Sequence, residues 1–265
     1  MCRWRQSSSS ARLKSSEFAE LSAPAHWQRI DFLSDLHLSP ETPATLTALA
    51  AHLDETRADA VFLLGDIFEV WVGDDARFEP FEAACVAMLR AASTKHSLFF
   101  MVGNRDFLVG PAMRADCGMQ GLADPTVLMA FGQRWLLSHG DALCLEDLPY
   151  QAFRAQVRSP AWQAEFLARP LKERQTLARQ MRAASQANQS KQALWADLDP
   201  AACIDWLQAS DCTDLIHGHT HRPADHSLAG GLRRHVLSDW DFEASPPRGD
   251  VLRLRHAGLR RIDLS

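Results

Sequence analysis

The chain has 265 residues, 46% of them hydrophobic, and a formal net charge of −5 at pH 7. That length suits one large domain, or a domain with an insertion, and the acidic balance gives no general attraction to nucleic acid. No run approaches the roughly 20 apolar residues that span a bilayer. The six cysteines (Cys2, Cys85, Cys117, Cys144, Cys203 and Cys212) show no Cys-x-x-Cys spacing, and read as buried thiols of a reducing compartment.

Residues 1–26 are Ser-rich and partly basic, with no apolar core like that of a secretory signal, and are expected to be a disordered leader. The folded domain is expected over 27–265. An apolar, strand-like run then ends in Ser34-Asp35-Leu36-His37-Leu38. In extended backbone alternate side chains share a face, so Asp35 and His37 can address the same spot. Pro43 can open a helix carrying Leu46, Leu49 and Leu53 on one face. The apolar run 60–64 ends in Gly65-Asp66. The stretch after it, Phe68-Glu69-Val70-Trp71-Val72-Gly73-Asp74-Asp75, reads equally as an apolar wall at a site or as plain core. A helix at about 78–93 leads to a third run, 98–102, which ends in Gly103-Asn104-Arg105-Asp106.

Residues 126–130 and 133–138, joined by Phe131-Gly132, have the look of a β-hairpin, and its second strand ends in His139-Gly140-Asp141. Cys144 lies close enough in sequence to be considered as a nucleophile, but a packed thiol is the better reading. From 147 to 208 the pattern turns helical, punctuated by Pro149, Pro160, Pro170 and Pro200. Arg154, Arg158, Arg169, Lys172, Arg174, Arg179, Arg182 and Lys191 stand there against only Glu165 and Glu173, with Phe153, Trp162, Phe166 and Trp195 interleaved. Such a block fits an anionic ligand with an apolar part or an anionic membrane surface, weighed against an ordinary solvated face. A fifth apolar pair, Leu215-Ile216, runs into His217-Gly218-His219-Thr220-His221, and strand-like runs at 235–237, 250–254 and 259–264 close the chain. Helices alternating with strands early and hairpins late imply two stacked sheets with helices outside.

Five strands in succession thus deliver a polar donor at their carboxyl ends, where sites form in sheets flanked by helices. The candidate metal ligands are Asp35, His37, Asp66, Asn104, His139, His219 and His221. That is too many for one ion and fits two, with Asp66, alone at its strand end, as the natural bridge. Two ions sharing a hydroxide would attack a phosphoester or phosphoanhydride. Asp141 and His217 suit orientation of a ligand better than direct binding.

In this order of motifs the chain resembles the calcineurin-like metallophosphoesterases. The resemblance implies a four-layer α/β/β/α sandwich of two mixed sheets. It implies one ion on Asp35, His37, Asp66 and His221, and a second on Asp66, Asn104, His139 and His219. Protein phosphatases of that superfamily carry Gly-Asn-His-Glu where this chain has Gly103-Asn104-Arg105-Asp106. An arginine cannot serve as a general acid near neutrality but grips phosphate oxygens bidentately. That favours a leaving group already stable as an anion, and hence a pyrophosphate bond.

The likeness from Ile30 to Leu264 is nearer still to the pyrophosphatases of lipid A synthesis that act on UDP-2,3-diacylglucosamine. It implies release of UMP and 2,3-diacylglucosamine 1-phosphate, Mn2+ as the metal, and a helical lid at about 147–208 over the acyl chains. It implies a place on the cytoplasmic face of the inner membrane. Asn104, Arg105 and His139 would be catalytic, and Asn104, Arg105, Asp147, Ser185, Asn188, Lys191 and His219 would contact substrate. The chain departs from that pattern at Ser238, where a Gly precedes Asp-Trp, and at Leu145-Glu146 before Asp147. Another dinuclear hydrolase acting on a nucleotide or cyclic nucleotide, and a non-enzymatic metal-binding protein at a membrane, are the alternatives.

Overall fold

A computed structural model describes residues 18–189 and 197–265. In chain order the strands are β1 (Ala19–Ser22), β2 (Ile30–Leu33), β3 (Ala60–Leu64), β4 (Ser97–Met101), β5 (Met119–Leu122), β6 (Thr126–Ala130) and β7 (Gln133–Ser138). They are followed by β8 (Asp214–His217), β9 (Ala224–Ser227), β10 (Arg233–Val236), β11 (Asp250–Arg255) and β12 (Gly258–Asp263). The helices are α1 (Pro43–Glu55), α2 (Pro80–Ser93), α3 (Pro111–Cys117), α4 (Leu148–Val157), α5 (Pro160–Leu167), α6 (Leu171–Gln189) and α7 (Pro200–Ala209). Proline in the first turn opens all of these helices except α6, where its fixed φ and missing N–H cost nothing. Asp147, Ser159 and Asp199 cap α4, α5 and α7 by accepting a backbone N–H from Tyr150, Trp162 and Ala202.

The strands form two mixed sheets, ordered β1-β6-β7-β8-β10-β9 and β12-β11-β2-β3-β4-β5. Strands β2 to β5 run parallel, as helical crossovers require, while β11 and β12 add antiparallel. Alternation along each strand splits the apolar residues between two layers. Phe32, Phe62, Leu64, Phe99 and Met101 meet Leu128, Trp135, Leu137 and Ile216 between the sheets. Phe62 and Phe99 stack there with centroids 4.5 Å apart. The opposite faces of β2 to β4, with Leu33, Val61, Leu63, Leu98 and Phe100, pack under α1 and α2 through Leu49, Leu53, Cys85 and Leu89. On the other side Val127, Leu136 and Leu215 are covered by Cys203 and Leu207 of α7. The result is the expected α/β/β/α order of layers.

Three expectations change. The leader does not reach residue 26, because Ala19–Ser22 pairs in parallel with Thr126–Met129 as an edge strand, and residues 1–17 lie outside the described residues. The helical region does not end as one unit, because α7 belongs to the outer layer over β8 and only α4 to α6 form the insertion. Phe68, Trp71 and Val72 are core, with relative exposures of 1%, 2% and 5%, and of the apolar residues in that stretch only Val70 faces solvent. The short elements β5, β9 and α3 carry too few residues to show a period and were not anticipated.

Candidate active site

The loop after β2 runs beside the loop after β3, and the parallel pairing continues past the strands. Asp35 N–H donates to Gly65 O (3.0 Å), His37 N–H to Asp66 O (3.0 Å) and Leu38 N–H to Ile67 O (2.9 Å). Asp35, His37 and Asp66 adopt left-handed backbone, with φ of 54°, 50° and 55°, as do His219 and His221 at 69° and 52°. Convergence therefore comes from strained loop residues, and not from alternation along an extended strand. Left-handed backbone costs a residue with a side chain roughly 1–2 kcal/mol, a strain typical of functional sites. Glycine is required between them. A Cβ on Gly65, whose φ is +90°, would lie 2.5 Å from His139 Nδ1, and a Cβ on Gly103 would collide with the Asp66 carboxylate.

All seven candidate ligands come together. His37 Nε2 lies 3.1 Å from His221 Nε2, which is 3.4 Å from Asp35 Oδ1. Asn104 Oδ1 accepts from His139 Nε2 at 2.9 Å and His219 Nδ1 at 2.8 Å, and His139 Nε2 stands 3.7 Å from Asp66 Oδ1. Ligand atoms of Asp35, His37 and His221 fall within 4.8 Å of one another, as do those of Asp35, Asp66 and His139. Two adjacent donor groups therefore exist. In this geometry Asp35 is common to both, whereas the resemblance gave that part to Asp66.

The electrostatics are those of a place that wants positive charge. His139 also donates from Nδ1 to Leu64 O at 3.0 Å, so both of its nitrogens face oxygen acceptors. Only the imidazolium can donate twice. Burial opposes that charge, but the Asp66, Asp35 and Asp141 carboxylates outweigh it and raise His139 to about 9. Burial lifts Asp66 to about 7, with Asp106 and Asp35 adding to it. Asp35 is also buried, yet His221, His139 and His37 hold it well below the usual range. Burial and then the His139 charge push His219 down to about 4, while burial and then Arg105 keep His37 neutral. Asp35 Oδ1 is buried without a hydrogen bond. Imidazole, carboxylate and amide donors around a buried, unsatisfied carboxylate oxygen fit a divalent transition metal.

The surrounding residues brace this arrangement. Asp106 accepts the backbone N–H groups of Gly103 (2.7 Å) and Ile67 (2.8 Å), which clamps the β3 and β4 loops together. Asp141 accepts from Tyr150 Oη (2.5 Å) and Arg154 Nε (2.8 Å), and Arg158 donates to Gly103 O (2.8 Å), so α4 is fastened to two site loops. Arg105 pairs with Glu69 at 2.5 Å and approaches Asp66 Oδ2 at 3.4 Å. Arg174 binds Val72 O and Asp75, and Arg182 binds Glu69.

Much of the insertion's basic charge is thus neutralised internally, because Arg154, Arg158, Arg169, Arg174 and Arg182 all have acidic partners. Glu69, Arg158, Arg174 and Arg182 were not assigned roles from sequence. The one signal for Glu69 was an acid within an apolar run.

Asp147 caps α4. Ser185 and Asn188 fall in the last turns of α6, and Lys191 lies outside the described residues. His217 donates to Gly218 O (2.8 Å), and burial lowers it to about 3, so it is a neutral imidazole that braces the turn at Gly218. Burial pushes the Cys144 thiol up to about 12, so it is a packed thiol and not a nucleophile.

The sequence profile of the calcineurin-like phosphoesterase family matches residues 28–223, and the chain belongs to that family. Curated relatives named UDP-2,3-diacylglucosamine hydrolase include one from Chromobacterium violaceum, 45% identical over 241 residues that span 89% of this chain and 98% of that protein. Another, from Xanthomonas campestris pv. campestris, is 46% identical over 86% of this chain and 96% of its own. A third, from Bordetella pertussis, is 46% identical over 87% of this chain and 93% of its own.

Proposed function

We propose that this protein hydrolyses the diphosphate of UDP-2,3-diacylglucosamine, releasing UMP and 2,3-diacylglucosamine 1-phosphate for lipid A synthesis. The observation that carries this reading is the pair of adjacent donor groups, with Arg105 beside them and an insertion packed above. The names of relatives at about 45% identity over most of the chain support the substrate.

Asp35, His37, Asp66 and His221 would hold one divalent ion, and Asp66, Asn104, His139 and His219 the second, with Mn2+ the resident metal. Bound there, two ions supply positive charge to the phosphoryl oxygens and a nucleophile at neutral pH. Arg105 grips the diphosphate, its backbone N–H fixed on Asp66 Oδ1 at 2.8 Å. Asn104 and His219 would orient the α-phosphoryl group so that hydroxide, formed when water gives up a proton to solvent, bonds through its oxygen to the phosphorus next to uridine. The bond to the bridging oxygen then breaks, and the sugar 1-phosphate leaves as an anion, so no side chain must donate a proton to it. Asp147, Ser185, Asn188 and Lys191 would meet the sugar.

A cavity within the insertion supports a place for the acyl chains. Phe153, Val157, Trp162, Phe166, Leu177 and Met181, together with Gln156, Glu165 and Arg169, line an open cavity of about 280 Å³ among α4, α5 and α6. These helices would act as a lid over the lipid. Phe153, Leu148 and Leu167 of the insertion, and Phe78 beside the fold, expose large apolar side chains. No described helix is long and apolar enough to cross a membrane. We infer a peripheral position on the cytoplasmic face of the inner membrane, entered through these side chains more than through the basic block.

The test is to load the protein with Mn2+, present UDP-2,3-diacylglucosamine in detergent, and quantify UMP. Stoichiometric UMP, with poor turnover of the deacylated analogue, is the expected result. Equal turnover of both, or preference for a cyclic nucleotide, would replace this reading with the nucleotide hydrolase.

A further inference from the structure

Glu69 sits where three parts of the chain meet. Its carboxylate accepts from Arg105 Nη1 at 2.5 Å and from Arg182 Nη2 on α6, and lies 3.4 Å from His37 Nδ1. Arg105 belongs to the β4 loop, Arg182 to the insertion and His37 to the metal-ligand set. Each guanidinium is tied to Glu69 through one terminal nitrogen, while Arg105 Nε and Arg182 Nε are buried without a hydrogen-bond partner. Two cations therefore stand side by side with buried N–H groups to spare, which an incoming anion can satisfy.

The same contacts restrain Arg105 from another direction. Its Nε is already 3.4 Å from Asp66 Oδ2. Without a competing carboxylate it would close on Asp66 and occupy a ligand oxygen. Without that carboxylate Arg182 would also face Arg105 as an uncompensated like charge. Histidine ligands commonly donate their second ring nitrogen to a carboxylate, and Glu69 stands 3.4 Å from His37 Nδ1, which is itself buried without a hydrogen bond.

We propose that Glu69 is a positioning residue for the diphosphate: it holds Arg105 and Arg182 as a two-guanidinium anion cradle, draws Arg105 off Asp66, and thereby fastens α6 over the metal centre. The inference rests on the diphosphatase reading for its substrate, but the cradle itself needs only an anion. Because Glu69 acts through two arginines, its loss is felt in binding before chemistry.

Glu69→Gln keeps the size and removes the charge. The expected result with Mn2+-loaded protein is about a tenfold rise in KM for UDP-2,3-diacylglucosamine with kcat altered less than about threefold. Glu69→Asp should recover part of the loss. Glu69→Gln combined with Arg182→Met should be no worse than the weaker single variant, since both break one unit. Two readouts need no turnover. Calorimetric titration with inorganic pyrophosphate should show about tenfold weaker binding in Glu69→Gln. Amide exchange across residues 174–182 of α6 should accelerate in it.

Unchanged pyrophosphate affinity and unchanged α6 exchange would overturn the proposal, as would multiplicative losses in the double variant. A wild-type protein whose pyrophosphate binding depends on Glu69 but which releases no UMP would overturn the substrate assignment instead. If Glu69→Gln does not fold, Arg182→Gln breaks the same clamp from the insertion side and is read by the same two measurements.

Discussion

Loading the metal centre must expel protons, and the structure says roughly how many. A metal ligand needs its lone pair, so the imidazolium of His139 must deprotonate before it can bind an ion. Its neighbours hold it up to about 9, two units above neutral pH. At about 1.4 kcal/mol per unit, this costs metal binding about 3 kcal/mol at pH 7, or about a hundredfold in apparent affinity. Asp66, raised to about 7, is half protonated there and gives up part of a second proton. The sign is fixed: falling pH fills both groups and weakens binding, and rising pH strengthens it until both are deprotonated. Titration of the metal-free protein with Mn2+ at pH 7, in two buffers of different ionisation heat, counts the protons directly. More than one should be released, since His221, whose charge burial opposes but Asp35 holds up, adds to His139 and Asp66, and the apparent affinity should rise at least about tenfold per pH unit from 7 toward 9. His139→Gln should release fewer, by less than one, because loss of the imidazolium lets Asp66 rise and carry more of its own proton. No net proton release at pH 7, or the same number from the variant, would refute the charge assignment.

Asp31 carries a second pH dependence, remote from chemistry. Burial opposes its charge, but Arg253, which it binds at 2.6 and 2.7 Å, with His52 and Thr56, lowers it from 3.8 to about 2. A depressed carboxylate stabilises the fold above pH 3.8 and loses that contribution as pH falls toward 2. Asp31→Asn should therefore cost about 2 kcal/mol at pH 7, with the difference from wild type shrinking in acid, as urea titrations would show.

Gly103→Ala places a methyl group against the Asp66 carboxylate, and should cut Mn2+ affinity at least about tenfold while far-ultraviolet dichroism stays unchanged. Leu177→Trp fills the cavity of the insertion, and should raise KM for the diacyl substrate but not for a diacetyl analogue. At His221, whose φ is 52°, the glycine variant should be more stable than the alanine variant by about 1 kcal/mol, the reverse of the usual order.

The parts of the site that were legible in sequence are those where chemistry dictates residue type. Apolar runs ending in Asp, Asn or His announced five strand ends, and Gly65 and Gly103 beside them announced tight turns, where the structure also shows no room for a Cβ. The sheets followed from runs such as 60–64, long enough to be read as strands. What stayed hidden was short or conformational. The four-residue strand β1, which pairs through its backbone on a sheet edge, leaves no periodic signature. The left-handed backbone of Asp35, His37 and Asp66 could not be foreseen either, because their residue types do not demand it. The ligands converge by strain that the surrounding hydrogen bonds hold in place, so their spacing in sequence pointed to residues that do come together, but for an incorrect geometric reason.

The insertion shows the same limit from the side of charge. A count of basic residues treats each arginine as available to an outside partner, and on that count α4 to α6 resembled an anion-binding surface. The acids that answer them lie far away in sequence: Asp141 for Arg154, Asp75 for Arg174 and Glu69 for Arg182. Of these arginines, Arg174 is 2% exposed, which rules out a solvated face at that position. A buried arginine left unpaired is costly, so each needs its acid where the helices meet the loops. The charge of the insertion is therefore first a docking pattern that sets its helices against the Asp66, Gly103 and Asp141 loops. Among the described residues Arg105 and Arg182 are the arginines that keep a buried N–H group without a hydrogen bond, and these are the ones turned toward a ligand.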